Sequence, residues 1–258
     1  MSSGKYKKLQ KIISRHERVV TALSGGVDST LLAKASYDIL GDNALAVTID
    51  NGLMSSCDVE NAAEIASEIG VRHQLVTDNF LEDERLAKNP PSRCYICKKR
   101  IAGILKNIAG REEMGTLFDG TNADDVGGDR PGIKALTEGG VETPLAEAGF
   151  TKDDIREEAK KLGLSNHDRY SNTCLATRIP YGRELTREKL EQIDQAEGLL
   201  RDLGIKQFRV RNHCHIARIE SFKEDFPLII ENSDHLLDGF RNLGFSYVNL
   251  DLKAYDGK

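Results

Sequence analysis

No apolar run in this chain of 258 residues approaches the roughly 20 residues a bilayer-spanning helix requires. Met1-Ser2-Ser3-Gly4-Lys5 also lacks the apolar segment of a secretory signal. The expectation is therefore a soluble, cytoplasmic protein with no membrane partner. An excess of basic charge is missing too: 36 Lys and Arg stand against 41 Asp and Glu, a formal net charge of −5. That argues against a broad nucleic-acid surface, which favours a basic domain. An even complement of cysteines is absent. Five cysteines in a chain without secretory features argue against a disulfide framework and turn attention to metal or sulfur chemistry. Internal repeats and low-complexity segments are absent as well, which leaves an ordinary globular chain, 30% charged and 39% hydrophobic, large enough for one large domain or two unequal ones.

The strongest positive feature follows the apolar run Val19-Val20-Thr21-Ala22-Leu23. It is Ser24-Gly25-Gly26-Val27-Asp28-Ser29, leading into a helical pattern from Thr30. Strand, glycine turn and helix start form an anion cradle: glycines admit close approach, and helix-start N–H groups point at the ligand. Ser24 and Ser29 add hydroxyls. Asp28 is out of place beside phosphate unless Mg²⁺ or helix capping compensates its charge. No Lys-Ser or Lys-Thr follows a glycine at Walker spacing, so this is not that loop.

The first half alternates strand and helix. Strands are expected over 44–49, 71–77 and 116–119, and helices over 58–69 and 96–108. This rhythm predicts an α/β fold with a parallel sheet, whose ligands gather at the carboxyl ends of the strands. The basic first segment carries Leu9, Ile12 and Ile13 as an apolar stripe and reads as a docked helix. Thr151 caps a further helix that runs to Leu162. Residues 165–182 have no period and read as a long loop holding Cys174. After Glu184 the order helix, two strands, helix, strand suggests a small α+β domain. The expected domains are 1–184 and 185–258, the second serving substrate binding or oligomerisation.

Cys94-Tyr95-Ile96-Cys97 has the spacing of two thiolates on one metal centre. Alone it also fits a redox pair, and structural zinc would need four ligands that the sequence does not offer nearby. Cys174 is the natural third thiol. Cys57 and Cys214 read as small, partly buried residues, and His213 and His215 as surface or core histidines. Asp124 and Asp125 follow a strand; they suit Mg²⁺ or the cap of the next helix equally. Arg209 and Arg211 alternate on an expected strand, so both face one side and suit a phosphate. Arg178 is a weaker candidate of the same kind. Glu197, in the middle of an expected helix, reads as part of a solvated face.

The six-residue loop resembles the pyrophosphate loop of the ATP pyrophosphatases (PP-loop proteins). With it, in order, stand Asn89-Pro90-Pro91-Ser92-Arg93-Cys94-Tyr95-Ile96-Cys97-Lys98, Gly120-Thr121-Asn122-Ala123-Asp124-Asp125, Pro144-Leu145-Ala146-Glu147-Ala148-Gly149-Phe150, Cys174-Leu175-Ala176-Thr177-Arg178-Ile179-Pro180-Tyr181-Gly182 and Arg209-Val210-Arg211. Together they resemble the LarE family of ATP-dependent sulfur transferases over nearly the whole chain.

The resemblance implies that Ser24 to Ser29 bind ATP, with Asp28 in catalysis, and that AMP is transferred to a carboxylate of a pyridinium-3,5-biscarboxylic acid mononucleotide for nickel-pincer cofactor synthesis. It implies that Arg178, Arg209 and Arg211 hold the substrate phosphate, that Asp125 is a candidate Mg²⁺ ligand, and that the chain forms a homo-oligomer. Cys174 occupies the position of a cysteine that, in one branch, gives up its own sulfur. The presence of Cys94 and Cys97 points to the branch in which three cysteines hold a [4Fe–4S] cluster, with sulfur from inorganic sulfide or another donor. Rival readings are a tRNA-thiolating relative, which the acidic balance disfavours, an ammonia-using ligase that would not need the cysteines, and a nucleotide-binding redox sensor.

Overall fold

The computed structural model describes residues 4–127 and 130–255, so Met1 to Ser3 of the leader reading and the last three residues of the expected second domain lie outside the described residues. The chain divides into two units: one takes Met1–Asn79 and Ser92–Asn172, the other Phe80–Pro91 and Thr173–Lys258. The second unit thus begins ahead of residue 185 and includes a short excursion from the first half.

In the first unit, α1 (Gly4–Ile13) precedes β1 (Val19–Ala22), α2 (Val27–Leu40), β2 (Ala44–Asp50), α3 (Ser56–Ile69) and β3 (Arg72–Thr77). Then come α4 (Arg93–Arg111), β4 (Thr116–Phe118), α5 (Pro131–Glu138), β5 (Val141–Glu142), α6 (Pro144–Ala148) and α7 (Lys152–Lys161). The sheet order is β3-β2-β1-β4-β5, and every pairing is parallel. β1 and β2 are almost wholly buried, as strands covered on both faces must be, whereas every residue of the edge strand β3 is at least partly exposed. Leu9, Ile12 and Ile13 of α1 join Leu31 and Leu32 of α2, Ile65 of α3 and Phe150 in one core. That accounts for the stripe read in the first segment: burying such a side chain contributes about 1.5–3 kcal/mol.

The chain moves from β1 through β2 to β3, then returns to the other side of β1 for β4. The carboxyl ends of β1 and β4 therefore flank a topological switch point, where ligands of such sheets bind. α5 and β5 did not stand out in the sequence, since one is two turns long and the other two residues.

The second unit holds α8 (Arg187–Asp202), β6 (Phe208–His213), β7 (Ile216–Ser221), α9 (Phe226–Glu231), α10 (Ser233–Asn242) and β8 (Tyr247–Leu250). β6 and β7 pair antiparallel and β8 joins β7 in parallel. Leu200 of α8, Val210, Ile219, Phe240 and Phe245 form its separate core. Where the sequence order has a single helical stretch before the last strand, Asn232 separates two helices, its amide donating back to the Leu228 carbonyl. Among the described residues, no helix is long and apolar enough to cross a membrane.

Candidate functional site

Leu23 to Gly26 turn the chain from β1 into α2. Gly25 has φ +75°, and a Cβ there would stand 2.7 Å from the Asp58 carbonyl oxygen, so both backbone and space require glycine. Two amides grip its carbonyl: Asn61 Nδ2 donates at 2.7 Å and Asn166 Nδ2 at 3.0 Å. Asn166 also donates to Thr30 Oγ1, tying the loop to the first turn of α2. The Ser24 N–H donates to Ser29 Oγ at 3.1 Å, and Ser29 Oγ donates to the Gly26 carbonyl. The loop is thereby held open around the N-terminus of α2, whose first-turn N–H groups have no partners within the helix.

Asp28 is compensated by the protein itself. Its carboxylate meets the Lys152 ammonium in an ion pair and accepts from Asn122 Nδ2 at 3.3 Å. Lys152 opens α7, and its N–H donates to Asp124 Oδ2 at 2.8 Å. Asp125 accepts the Asn122 N–H, while Asn122 caps the turn from the other side, and it pairs with Arg130. Gly120, after β4, lies so close to α2 that a Cβ would stand 2.9 Å from the Ser29 nitrogen. That contact brings the β4 end against the loop.

Cys94 and Cys97 occupy the first turn of α4, three apart and so on one face. Cys94 is exposed and Cys97 half-buried, with Asn51 Nδ2 3.8 Å from the Cys97 sulfur. The next residue, Lys98, donates to Asp119 Oδ2 at 3.0 Å. Asp119 raises the Lys98 pKa, and the Cys97 and Cys94 sulfurs act in the same direction. Burial alone would push the Asp119 carboxyl up; the Lys98 charge and the Thr121 donors overcome it and hold the carboxyl below its usual range.

In the second unit Cys174 stands at the head of the short helical turn Leu175–Arg178. Arg178 is 1% exposed and faces inward. It donates to Glu197 from Nε at 2.7 Å and from Nη2 at 3.1 Å, and from Nη1 to the Thr173 carbonyl, Thr173 Oγ1 and Thr177 Oγ1. Glu197 also accepts the Val210 N–H at 3.0 Å. The pair therefore fastens the Cys174 turn to α8 and β6, and Glu197 is neither solvated nor open.

Arg209 and Arg211 stand on one face of β6. Arg211 pairs with Glu220 and donates to the Thr177 carbonyl at 2.7 Å. Arg209, 4% exposed, lies over the Tyr255 ring; burial lowers its pKa, and the Arg178 charge lowers it further. The structure gathers Cys174, Arg178 and Arg211 around Thr177 in this unit, and the loop, Lys152 and Asn122 in the other. Among the described residues, no group of three or more His, Cys, Asp and Glu side chains is assembled to hold a metal ion. Cys94 and Cys97, three residues apart, place two thiols on one face of α4.

Lys152, Asn61, Asn166 and the Lys98–Asp119 pair escape the sequence reading, because each acts across a long sequence separation. The Thr151 cap before Lys152 was the one local signal.

A parallel sheet with a glycine loop at its switch point defines a nucleotide-binding domain of the PP-loop, ATP-utilising class. The NAD synthase family model matches residues 6–118. The chain is 37% identical to the pyridinium-3,5-bisthiocarboxylic acid mononucleotide synthase of Lactiplantibacillus plantarum, over 93% of this chain and 87% of that one. It is 39% identical to an uncharacterized protein of Synechocystis, over 99% of this chain and 96% of that one. A more distant relative is a chain of the glutamine-hydrolyzing GMP synthase of Methanopyrus kandleri, 28% identical over 72% of this chain and 63% of that one. The chain belongs to the LarE family.

Proposed function

We propose that this chain is an ATP-dependent sulfur transferase acting on a pyridinium mononucleotide carboxylate, in the synthesis of a nickel-pincer cofactor. The observation that carries the reading is the loop after β1: Gly25, where no side chain fits, held open over the start of α2 beside a charge-compensated Asp28. In the first half-reaction a carboxylate oxygen attacks the α-phosphorus of ATP. The bond to the β-phosphate oxygen breaks, pyrophosphate leaves, and an acyl adenylate forms. The loop N–H groups, with Ser24 and Ser29, take the charge that develops on pyrophosphate. Mg²⁺ bound with ATP would take up the Asp28 carboxylate and free Lys152 toward the phosphates. In the second half-reaction a sulfur nucleophile attacks the activated carbonyl, AMP leaves, and a thiocarboxylate remains.

Cys94, Cys97 and Cys174 are the residues proposed for the sulfur. As ligands of a [4Fe–4S] cluster they would leave one iron open to an external sulfide. Arg209 and Arg211 are proposed to hold the substrate phosphate, and Arg178 to fix the Cys174 turn that they adjoin.

A second reading makes Cys174 the sulfur source, its side chain ending as dehydroalanine. It is supported by the Arg178 bonds to Thr173, which fix the turn that carries the half-buried Cys174 thiol. Iron and acid-labile sulfide in anaerobically purified protein, with the mass of the Cys174 peptide after turnover, separate the two. Bound cluster and an unchanged peptide support an external donor; no iron after reconstitution and a peptide lacking its sulfur support the sacrificial route. Activity unchanged by Cys97→Ala together with Cys174→Ala would overturn both.

A further inference from the structure

The hairpin between β6 and β7 carries His213-Cys214-His215 at its tip, and the chemistry above uses none of them. His213 faces Ile216 across the ladder, so Cys214 and His215 make the turn. Cys214 takes φ +62°, where a residue with a side chain is strained. Asn212 holds the turn in that shape: its Oδ1 accepts the Cys214 N–H at 3.0 Å, and its Nδ2 donates to Gln192 Oε1 at 2.8 Å. Gln192 in turn donates to the Leu243 carbonyl at 2.7 Å. A strained turn fastened through two committed amides is a preformed wall.

That wall closes one side of a cleft of about 630 Å³, within the second unit. The volume is that of pockets that take small organic ligands. Ile179 and Pro180 give it an apolar side; Arg183, Lys189, His213 and His215 stand around it, and none of its ten lining residues is acidic. Arg183 enters no ion pair among the described residues. Lys189 donates to the Glu184 carbonyl at 2.7 Å and, among the described residues, closes no ion pair. Two permanent cations in a cleft lined by no carboxylate, two imidazoles and an apolar wall match a ligand that is anionic at one end and flat and apolar at the other.

We propose that this cleft binds an organic monophosphate of mononucleotide size, at a site separate from the ATP loop. Arg183 and Lys189 take the phosphate, the Ile179–Pro180 side packs against the ring, and the imidazoles supply hydrogen bonds at its edge. The proposal does not rest on the reaction assigned above.

Cys214 is exposed at the cleft, so its alkylation by N-ethylmaleimide reports occupancy. The full chain is labelled with and without AMP, and each cysteine is read by peptide mass spectrometry. At an AMP concentration about ten times the dissociation constant, Cys214 labelling should slow about tenfold. Protection should disappear in Arg183→Gln/Lys189→Gln, whose unchanged urea midpoint shows that the fold is kept, and persist in Gly25→Ala, whose ATP loop is disabled. Unchanged labelling of Cys214, protection that survives loss of both cations, or protection that vanishes with Gly25→Ala overturns the proposal. So does equal protection by inorganic phosphate, which lacks the ring, or by nicotinate, which lacks the phosphate.

Discussion

Arg178 and Glu197 meet in a two-bonded ion pair with side chains 0% and 1% exposed. The same guanidinium holds the Thr173 carbonyl, and the same carboxylate holds the Val210 N–H. Removing one partner strands a buried charge. Arg178→Ala should cost about 3–5 kcal/mol in urea unfolding, whereas Arg178→Met/Glu197→Leu, which removes both charges, should recover much of it. A single variant as stable as the parent would show that the pair is not what fastens this turn.

Gly25 and Gly26 are adjacent but should differ sharply. Gly25→Ala must place a Cβ 2.7 Å from a backbone oxygen at φ +75°. It should lose at least about 1–3 kcal/mol of stability or of loop order and weaken ATP binding by tenfold or more. Gly26→Ala meets only Ser24 Oγ at 3.5 Å, an ordinary contact, at φ −81°. Calorimetric titration with a non-hydrolysable ATP analogue checks both.

Asp28 and Lys152 should prove coupled. Lys152→Met leaves the loop carboxylate facing the phosphates without its counter-ion and should weaken ATP binding, while Asp28→Asn in the same chain should restore part of it at low Mg²⁺. A double-mutant cycle should return about 0.5–3 kcal/mol of interaction; strict additivity would mean that the pair does not act together on ATP.

Asp154 offers a test in pH. Hydrogen bonding from the Lys5 ammonium first, then from Thr151, holds its carboxyl down at about 2. The unfolded chain therefore takes up this proton more readily than the folded one. The stabilisation is present in full above the ordinary carboxylate range, near 4, and is lost as pH falls through about 2. The stability difference between parent and Asp154→Asn should be constant from neutral pH to about 5 and shrink below that.

The loop, the strand and helix alternation and the cysteine pair were legible because they are local. Val19 to Ser29 contain their own strand, turn and helix start, and Cys94 and Cys97 share one helical turn. What holds them was not legible. Asn166 reaches Gly25 across 141 positions and Lys152 reaches Asp28 across 124. Such contacts belong to the packing of a parallel sheet, whose neighbours are distant in sequence. Arg178 illustrates the same limit: the family resemblance implied a phosphate ligand, and the structure shows its guanidinium engaged by the buried Glu197.

The most direct test of the proposed chemistry is exchange of labelled pyrophosphate into ATP by the purified chain, with and without pyridinium-3,5-biscarboxylic acid mononucleotide. The account predicts exchange that depends on the pyridinium carboxylate, is abolished by Gly25→Ala and persists when Cys174 is replaced, because activation precedes sulfur delivery. Exchange that ignores the pyridinium compound, or its absence while ATP still binds, would contradict it.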